Sequence, residues 1–323
     1  MARIVVTGGG GFIGHALIQR LKAEGHTVRG VDIKRPEFEA TQADEFELSD
    51  LRGPLASHNA LRPFSPQQPV DEVYNLAADM GGIGFISGNR ATIARNNTLI
   101  NVNVLDAAKY HQVPKILFSS SACVYNASCQ DRPDAPPLKE EDAMPADPEP
   151  GYGWEKLYAE KLYEYYAEEF GMQTMMVRFH NVFGPVGTYD GGREKAPAAA
   201  CRKVALAKDG SEIVVWGDGQ QTRTFMYIDD CLEGLIRLMA SGYSKPLNLG
   251  RDELVTIDEL HLMVMRISGK KLTLIHDLTK PQGVRGRNSD NSRLRSVLGW
   301  EPAISLQDGL ERTYPWVLSQ ICQ

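Results

Sequence analysis

The stretch Thr7-Gly8-Gly9-Gly10-Gly11-Phe12-Ile13-Gly14 decides the fold of this 323-residue chain. It lies between an apolar run, Arg3 to Thr7, and a segment with helical apolar spacing, Phe12 to Glu24. The spacing Gly-x-x-Gly-x-x-Gly at such a junction predicts a tight turn that brings a helix N-terminus up to a pyrophosphate. The bland alternative is a tight turn without a ligand.

Asp32 closes the next predicted strand, where its carboxylate would accept hydrogen bonds from the ribose hydroxyls of a dinucleotide. The same negative charge would repel a 2′-phosphate, so we expect NAD rather than NADP. Lys34 and Arg35 follow closely and are an alternative site for that phosphate, although such charges are more often solvated.

Segments of strand and helix character alternate through the first half of the chain. This alternation predicts an α/β fold with a doubly wound parallel Rossmann sheet. After the strand Arg3 to Thr7 and the helix Phe12 to Glu24, we predict strands over Thr27 to Asp32, Phe46 to Leu51 (ending at Asp50), Glu72 to Ala77, Lys115 to Ser119 and Thr174 to Arg178, and helices over Ala91 to His111 and Tyr152 to Phe170.

The rhythm changes after Asn181, where shorter elements follow a loop rich in glycine and charge. We therefore predict an NAD-binding Rossmann domain over residues 1–178 and about 224–248, and a smaller α/β substrate domain over residues 179–223 and 249–323. Within the second half, a helix over Asp229 to Met239 is expected to be capped by Asp229 or Asp230.

Composition narrows the class of protein. A net charge of −6 argues against a nucleic-acid or anionic-membrane binder. No apolar run approaches the roughly 20 residues that span a bilayer, and the N-terminus enters a strand without a signal peptide. An odd number of cysteines without CxxC spacing predicts a reducing cytoplasm and no metal or disulfide framework: Cys123, Cys129, Cys201, Cys231 and Cys322.

Tyr152 and Lys156 begin a predicted helix, and their spacing of four places them on one face. A lysine ammonium and a cationic nicotinamide would both favour tyrosinate, which could take the proton of a sugar hydroxyl while its carbon gives up hydride. Ser121, after a predicted strand, would orient that hydroxyl. Alone, Tyr-x-x-x-Lys means little, but here it follows a glycine loop and a serine-ended strand.

These motifs together resemble the extended short-chain dehydrogenase/reductase family of nucleotide-sugar epimerases and dehydratases. Further matching motifs are Asn75-Leu76-Ala77-Ala78, Arg178-x-x-Asn181-Val-Phe-Gly-Pro185 and Leu298-Gly299-Trp300-Glu-Pro302. The residues expected at NAD are Gly8, Gly11, Phe12, Ile13, Gly14, Asp32, Asp50, Ala77, Tyr152 and Lys156.

Two further residues suggest chemistry beyond hydride transfer. Cys123 follows Ser121 closely, and a thiol near a cation can act as a base near neutral pH. Lys195 lies in the glycine-rich loop after Asn181 and would return a proton from the other side of the sugar. The non-catalytic alternatives are that Cys123 is a small buried thiol in the core and that Lys195 is a solvated charge on a loop. As a pair, they predict a two-base epimerase that works on the neighbours of a transient ketone at carbon 4.

Longer strings resemble the branch of this family that epimerises GDP-mannose: residues 77–82, Ser121-Ala-Cys123, residues 179–181, 191–197, 201–203, 216–219, 221–223 and 284–290. The resemblance implies Cys123 and Lys195 as the acid/base pair and GDP-L-galactose as the product, with GDP-L-gulose as a by-product. It implies substrate contacts from Gly81, Gly82, Asn181, Glu194, Lys195, Lys203, Gln221, Arg223, Arg285 and Ser289. From charge alone, Lys203, Arg223, Arg285 and Arg287 suit a diphosphate.

Alternatives remain open. The loops Gln130 to Pro150 and Phe85 to Thr92 differ from the family pattern, which leaves inversion at carbon 3 or carbon 5 alone as a second outcome. A 4-epimerase or a reductase of a related nucleotide sugar needs neither Cys123 nor Lys195. A non-catalytic NAD-binding protein is a third class, although both Tyr152 and Lys156 are present.

The expected assembly is a homodimer. In relatives, the helices corresponding to Ala91 to His111 and Tyr152 to Phe170 pack against their copies as a four-helix bundle. On the latter helix, Tyr158, Leu162, Tyr165 and Tyr166 would by default lie in the core.

Overall fold

The computed structural model of the chain describes residues 1–280 and 282–322. Its strands are β1 (Arg3–Thr7), β2 (Thr27–Asp32), β3 (Glu45–Leu48), β4 (Glu72–Asn75), β5 (Lys115–Ser121), β6 (Gln173–Phe179), β7 (Asn181–Phe183), β8 (Glu212–Trp216), β9 (Thr222–Tyr227), β10 (Pro246–Leu249), β11 (Leu254–Thr256), β12 (Thr273–Asp277) and β13 (Gly286–Arg287). Its α-helices are α1 (Phe12–Ala23), α2 (Pro54–Ala60), α3 (Ile83–Gly88), α4 (Arg90–Tyr110), α5 (Tyr152–Phe170), α6 (Ala196–Leu206), α7 (Ile228–Ser241), α8 (Ile257–Ser268), α9 (Ser292–Leu298) and α10 (Leu306–Ile321).

A seven-stranded parallel sheet in the order β10-β6-β5-β4-β1-β2-β3 forms the centre of the molecule. The residues of its inner strands are mostly buried, as expected when both faces of a sheet are covered. Ile4, Val5 and Val6 of β1 are each at most 1% exposed. Because all strands run the same way, their carboxyl ends meet at one edge, where doubly wound folds bind ligands.

Helices cover the two faces of this sheet. Leu17 of α1 and Leu235 of α7 belong to the core on one face. Val104 of α4 and Tyr163 of α5 belong to the core on the other face. The predicted fold class, an α/β protein with a doubly wound parallel sheet, is confirmed.

Two smaller sheets lie in the second half. One contains β11, β9 and β13 with β7 beside β9, and the other pairs β8 with β12. We propose the predicted two-domain division, which the return of β10 to the large sheet supports. The strand pairing departs from this division at β9. Asn181 to Phe183 of β7, assigned to the substrate domain, pair with Phe225 to Tyr227 of β9, assigned to the NAD-binding domain.

The element boundaries agree closely with the sequence patterns, with two informative differences. The predicted end of the third strand at Asp50 is wrong, since β3 ends at Leu48. The expected capping of α7 by Asp229 or Asp230 is also wrong, because the start of this helix carries no side-chain cap. Asp230 instead accepts hydrogen bonds from the backbone N–H groups of Ala303 and Ile304 at 3.0 and 2.8 Å, so it ties α7 to the loop before α10.

Neither a membrane span nor a metal cluster is found in the described part of the chain. None of its helices is long and apolar enough to cross a membrane. No group of three or more His, Cys, Asp or Glu side chains over residues 1–280 and 282–322 is arranged to hold a metal ion.

Candidate active site

The glycine loop is packed too tightly for side chains. Gly8 has a φ of +71°, and a Cβ at Gly14 would lie 2.1 Å from the carbonyl oxygen of Gly8. Gly11 precedes α1 without a side-chain cap, so the first N–H groups of this helix have no competing side-chain acceptor there. The loop therefore presents bare backbone at a helix N-terminus, which fits a pyrophosphate.

The carboxylate of Asp32 is held at the end of β2. It accepts the backbone N–H groups of Gly10 at 3.0 Å and of Lys34 at 3.1 Å. Both bonds orient the carboxylate toward the glycine loop and leave lone pairs for ribose hydroxyls. The residues present thus fit an NAD-type dinucleotide.

Of the other residues predicted at the cofactor, Phe12 and Ala77 lie at this loop. A Cβ at Gly187 would be 3.3 Å from the ring of Phe12, which places the loop after β7 directly on the start of α1. The backbone N–H of Ala77 donates to Thr7 Oγ1 at 3.2 Å. Asp50 lies in the turn beyond β3, where hydrogen bonds from Arg52 hold the pKa of its carboxyl below the usual range.

Substitution of Gly14 by alanine is expected to weaken NAD binding about 10- to 100-fold, since the added Cβ must push the backbone of Gly8 away. Calorimetric titration of the variant with NAD measures this. Gly88→Ala is the matched control, because a Cβ there meets nothing within 4 Å. Equal NAD affinity in Gly14→Ala and the unmodified chain would contradict the assignment of this loop.

Ser121 and Tyr152 meet at the carboxyl edge of the large sheet. Ser121 ends β5, and its hydroxyl accepts the N–H of Cys123 at 3.1 Å, which caps the 3-10 turn Ala122–Val124. Tyr152 begins α5 close to Ser121. A Cβ at Gly153 would lie 2.2 Å from the carbonyl oxygen of Cys123, so only glycine lets α5 rest on the turn that carries the thiol.

Burial dominates the charge states of Tyr152 and Lys156. Desolvation, followed by the charges of Cys123 and Glu155, raises the pKa of Tyr152 above the usual tyrosine range. Desolvation also lowers the pKa of Lys156, whose Nζ donates to the carbonyl of Ser119 at 2.9 Å and lies 5.7 Å from the centre of the Tyr152 ring. The chain's own residues therefore do not favour the expected tyrosinate.

The thiol of Cys123 lies beside a cation. Nη1 of Arg287 is 3.5 Å from Cys123 Sγ. Besides the larger effect of burial, negative charge at Cys123 would raise the pKa values of Tyr152, Lys156 and Lys195, so these groups form one electrostatic cluster. The sequence assigned Arg287 to a diphosphate, whereas in the structure its guanidinium reaches the proposed base.

Lys195 immediately precedes α6, and its Nζ donates to the carbonyl of Gly81 at 3.3 Å. Its loop is held from within, because Glu194 accepts the N–H of Gly192 at 2.7 Å and a hydrogen bond from Arg202 at 3.2 Å. A Cβ at Gly82 would lie 3.0 Å from the carbonyl oxygen of Glu194. Gly81 and Gly82 thus lie against the loop that carries Lys195.

The predicted polar contacts of the second half have protein partners. Lys203 donates to the carbonyl of Val214 at 2.7 Å, and Asn181 donates to that of Thr224 at 3.1 Å. Arg285 forms an ion pair with Asp218 at 3.0 Å.

Three more predicted substrate residues are buried or partly buried. Burial lowers the pKa of Arg223, and the Arg287 cation lowers it further. Gln221 donates to the carbonyl of Trp216, while its Oε1 is buried without a hydrogen-bond partner among the described residues. Ser289 is 1% exposed and its hydroxyl donates to Asn291, so the structure gives this side chain an internal role.

Sequence patterns missed two buried residues at this site. Glu155 is 4% exposed beside Lys156, and desolvation raises the pKa of its carboxyl. Asn101 of α4 donates to this carboxyl at 2.7 Å. Gln130 accepts a hydrogen bond from Arg287 at 2.5 Å. Gln130 lies in an irregular loop, where neither helical nor strand periodicity marks a buried polar residue.

Comparisons with known proteins show the family and the fold. Residues 4–250 match the family described as NAD dependent epimerase/dehydratase. The chain is 46% identical over 321 residues to a GDP-mannose 3,5-epimerase of Arabidopsis thaliana, covering 99% of this chain and 83% of that protein. A GDP-mannose 3,5-epimerase 1 of Oryza sativa subsp. indica is also 46% identical, with 99% and 82% covered. The crystal structure of a UDP-glucose 4-epimerase from Thermotoga maritima with UDP-glucose has a TM-score of 0.88 at 24% identity, covers 99% of both chains, and shows the same fold.

Proposed function

Since the chain belongs to the NAD dependent epimerase/dehydratase family, we propose that it converts GDP-α-D-mannose into GDP-L-galactose, with GDP-L-gulose as a by-product. The relatives that are 46% identical over 99% of the chain carry the name of this activity. The observation that carries the proposal is the placement of Cys123 Sγ 3.5 Å from Arg287, in one electrostatic cluster with Tyr152 and Lys195. Inversion at carbon 4 alone would need neither Cys123 nor Lys195 as a proton-transfer group.

The dinucleotide would be held by the glycine loop, the N-terminus of α1 and the carboxylate of Asp32. When bound, NAD supplies a hydride acceptor for carbon 4 of the sugar, and the ketone so formed acidifies the hydrogens on carbons 3 and 5. Asp32 favours NAD over NADP, because a 2′-phosphate would meet its negative charge.

The residues at the edge of β5 handle the protons of this reaction. Tyr152, which lies close to Ser121, takes the proton of the sugar hydroxyl at carbon 4 and returns it at the end. Because burial raises the pKa of Tyr152, this transfer depends on positive charge from Lys156 and from the occupied cofactor site.

The inversion itself requires a base and an acid. The guanidinium of Arg287 stabilises the thiolate of Cys123, which forms an S–H bond as the C–H bond beside the ketone breaks. The ammonium of Lys195 then gives a proton to the other side of the same carbon. Thiol and amine regain their starting forms by exchange with solvent, so solvent hydrogen enters the sugar.

Incubation with GDP-mannose and NAD in deuterated water tests the proposal. We expect GDP-L-galactose with deuterium at carbons 3 and 5, measured by NMR and mass spectrometry. Deuterium at one carbon only would restrict the reaction to a single centre. Its absence from both carbons would refute the two-base reaction. In a parallel incubation with NADH, steady consumption of NADH would identify a reductase instead.

As the pH is raised, deuterium exchange is expected to stop at a lower pH than it would if the acid were a lysine with the usual pKa. Lys195 must be protonated to act as the acid, and burial lowers its pKa; negative charge at Cys123 opposes this shift and the Arg287 cation adds to it. A lowered pKa means that the proton is lost at lower pH, so the alkaline limb moves down. Deuterium exchange is measured against pH with a nucleotide sugar that already carries a ketone at carbon 4, which removes the titration of Tyr152. A limb at the ordinary lysine position would contradict this role.

The assembly we propose is a homodimer formed through α4 and α5. Trp154, Tyr158 and Tyr165 of α5 are 50%, 54% and 56% exposed, and their spacings of four and seven place them on one face. The expectation that Tyr158 and Tyr165 lie in the core is wrong, whereas Leu162 and Tyr166 do pack against it. Large aromatic side chains exposed along one helix suit a partner surface.

Light scattering tests the dimer. We expect twice the chain mass for the unmodified protein and a shift toward the monomer in Tyr158→Arg. Leu262→Arg is the control, since Leu262 is 43% exposed on α8, away from this face. A monodisperse monomer would refute the proposal.

The location we propose is the cytoplasm. All five cysteines are free thiols, two of them fully buried. Proteins of oxidising compartments commonly carry disulfides, whereas free thiols suit a reducing compartment. Detection of the protein in a cytosolic fraction would check this.

A further inference from the structure

Gln130 is a buried amide whose orientation is set by its surroundings. It ends the 3-10 turn Ala127–Gln130 and is 2% exposed. Its Nε2 donates to the carbonyl oxygens of Tyr125 and Asn126, both at 3.2 Å. Carbonyl oxygens only accept hydrogen bonds, so a flipped amide would lose both bonds and set oxygen against oxygen. The Oε1 atom must therefore face the other way.

Arg287 occupies that other side. Its Nε donates to Gln130 Oε1 at 2.5 Å, and its Nη1 reaches Cys123 Sγ at 3.5 Å. A guanidinium is planar and rigid, so fixing Nε also fixes the direction of Nη1. The backbone of this segment has its own anchor, because the N–H of Arg285 donates to the carbonyl of Gln130 at 2.9 Å. The side-chain contact is thus separable from the attachment of β13.

The neutrality of Gln130 matters as much as its position. Among residues 1–280 and 282–322, Arg287 has no carboxylate within ion-pair distance, and its side-chain partners are Gln130 and Cys123. A glutamate at position 130 would cancel the charge of the guanidinium, and its second oxygen would face the carbonyl oxygens of Tyr125 and Asn126. A neutral amide orients the cation and leaves its charge available to a thiolate.

We propose that Gln130 is a positioning residue that holds Arg287 against Cys123 and thereby favours the thiolate of Cys123. Gln130 acts through Arg287 and not on the sugar itself. The inference rests on the proposed function in one respect, namely that deuterium exchange depends on Gln130. The effect on the thiol is independent of any substrate.

A double-mutant cycle on the NAD-loaded full-length protein tests the proposal. The variants are Gln130→Met, Arg287→Met and the double variant, and the readout is the rate at which iodoacetamide alkylates Cys123 at neutral pH, followed on its peptide by mass spectrometry. We expect each single variant to slow alkylation about 10-fold and the double variant to be no slower than Arg287→Met. Multiplied effects in the double variant, or an unchanged rate in Gln130→Met, would overturn the proposal.

Two further variants separate positioning from general damage. Gln130→Glu keeps the size of the side chain but cancels the charge of the guanidinium; it is expected to slow alkylation at least as much, and an unchanged rate would overturn the proposal. Arg287→Met, in which Gln130 keeps its bonds to Tyr125 and Asn126, covers the case in which neither Gln130 variant folds, and there too an unchanged rate would overturn the proposal. Asn103→Leu is the matched control, because Asn103 is also buried and its amide also donates to two backbone carbonyls, at 3.2 and 2.9 Å. It should leave alkylation unchanged, and slowing equal to that of Gln130→Met would overturn the proposal.

Deuterium exchange distinguishes failure of this inference from failure of the proposed function. If the unmodified protein incorporates no deuterium while the alkylation cycle shows coupling, the reaction is wrong and the positioning role stands. If exchange occurs but Gln130→Met neither slows alkylation nor reduces exchange, the positioning role is wrong and the reaction stands. We expect the exchange rate at saturating GDP-mannose to fall about 10-fold in Gln130→Met, with an unchanged KM, because the substrate contacts are retained.

Discussion

Replacement of Cys123 by serine is expected to slow the entry of solvent deuterium into the sugar about 1000-fold while leaving NAD bound. A serine hydroxyl nearly matches the thiol in shape but is far too weak an acid to be deprotonated near neutral pH, even 3.5 Å from a guanidinium. NAD binding persists, because the glycine loop and Asp32 are untouched. Hydride transfer at carbon 4 also persists, because Ser121 and Tyr152 remain in place.

NMR of the sugar after incubation in deuterated water measures this effect. Cys129→Ser is the matched control, since Cys129 is also a free and partly buried thiol but lies in the following 3-10 turn. Exchange in Cys129→Ser should equal that of the unmodified protein. Undiminished exchange in Cys123→Ser would remove the thiol from the mechanism.

Replacement of Tyr152 by phenylalanine is expected to reduce turnover of GDP-mannose about 1000-fold, by loss of the phenol that carries the proton of the hydroxyl at carbon 4. The ring of Tyr152 is 5% exposed and packs with Ile86 and Ile93. Phenylalanine keeps this ring, so the variant retains the core packing and removes only the hydroxyl. Without the ketone, the hydrogens on carbons 3 and 5 are not acidic. Deuterium exchange is therefore expected to fall by the same factor as turnover.

The substrate that already carries a ketone at carbon 4 separates the two variants. With it, Tyr152→Phe should exchange deuterium at the normal rate, whereas Cys123→Ser should still fail. Tyr158→Phe is the control, because it removes a hydroxyl from the same helix at a side chain that is 54% exposed. Failure of Tyr152→Phe with the ketone would show that Tyr152 acts in the inversion as well as in hydride transfer.

Local pattern was enough to predict most of the fold. The strands Arg3–Thr7 and Thr27–Asp32 and the helix Tyr152–Phe170 have the bounds that periodicity and glycine placement indicate. The spacing of four also placed Tyr152 and Lys156 on one helical face. These features depend on interactions between residues close in sequence, and such interactions produce a periodic pattern of residue types along the chain.

The contacts at the thiol depend on tertiary structure. Arg287 lies 164 residues from Cys123 in the sequence, and no local pattern relates them. They meet because β13 pairs with β9 and because Gln130, in an irregular turn, accepts a hydrogen bond from the guanidinium. The same charge pattern in the sequence suggested only a diphosphate site.

The type of sheet, the dinucleotide loop and the residue types proposed for the chemistry could be inferred from the sequence alone, since each follows from short-range spacing. The cation beside Cys123, the burial that raises the pKa of Tyr152, and the outward position of Tyr158 and Tyr165 depend on the tertiary structure. The physical reason is that burial and charge proximity are sums over every element packed around a side chain. Neighbours along the chain contribute only a small part of those sums.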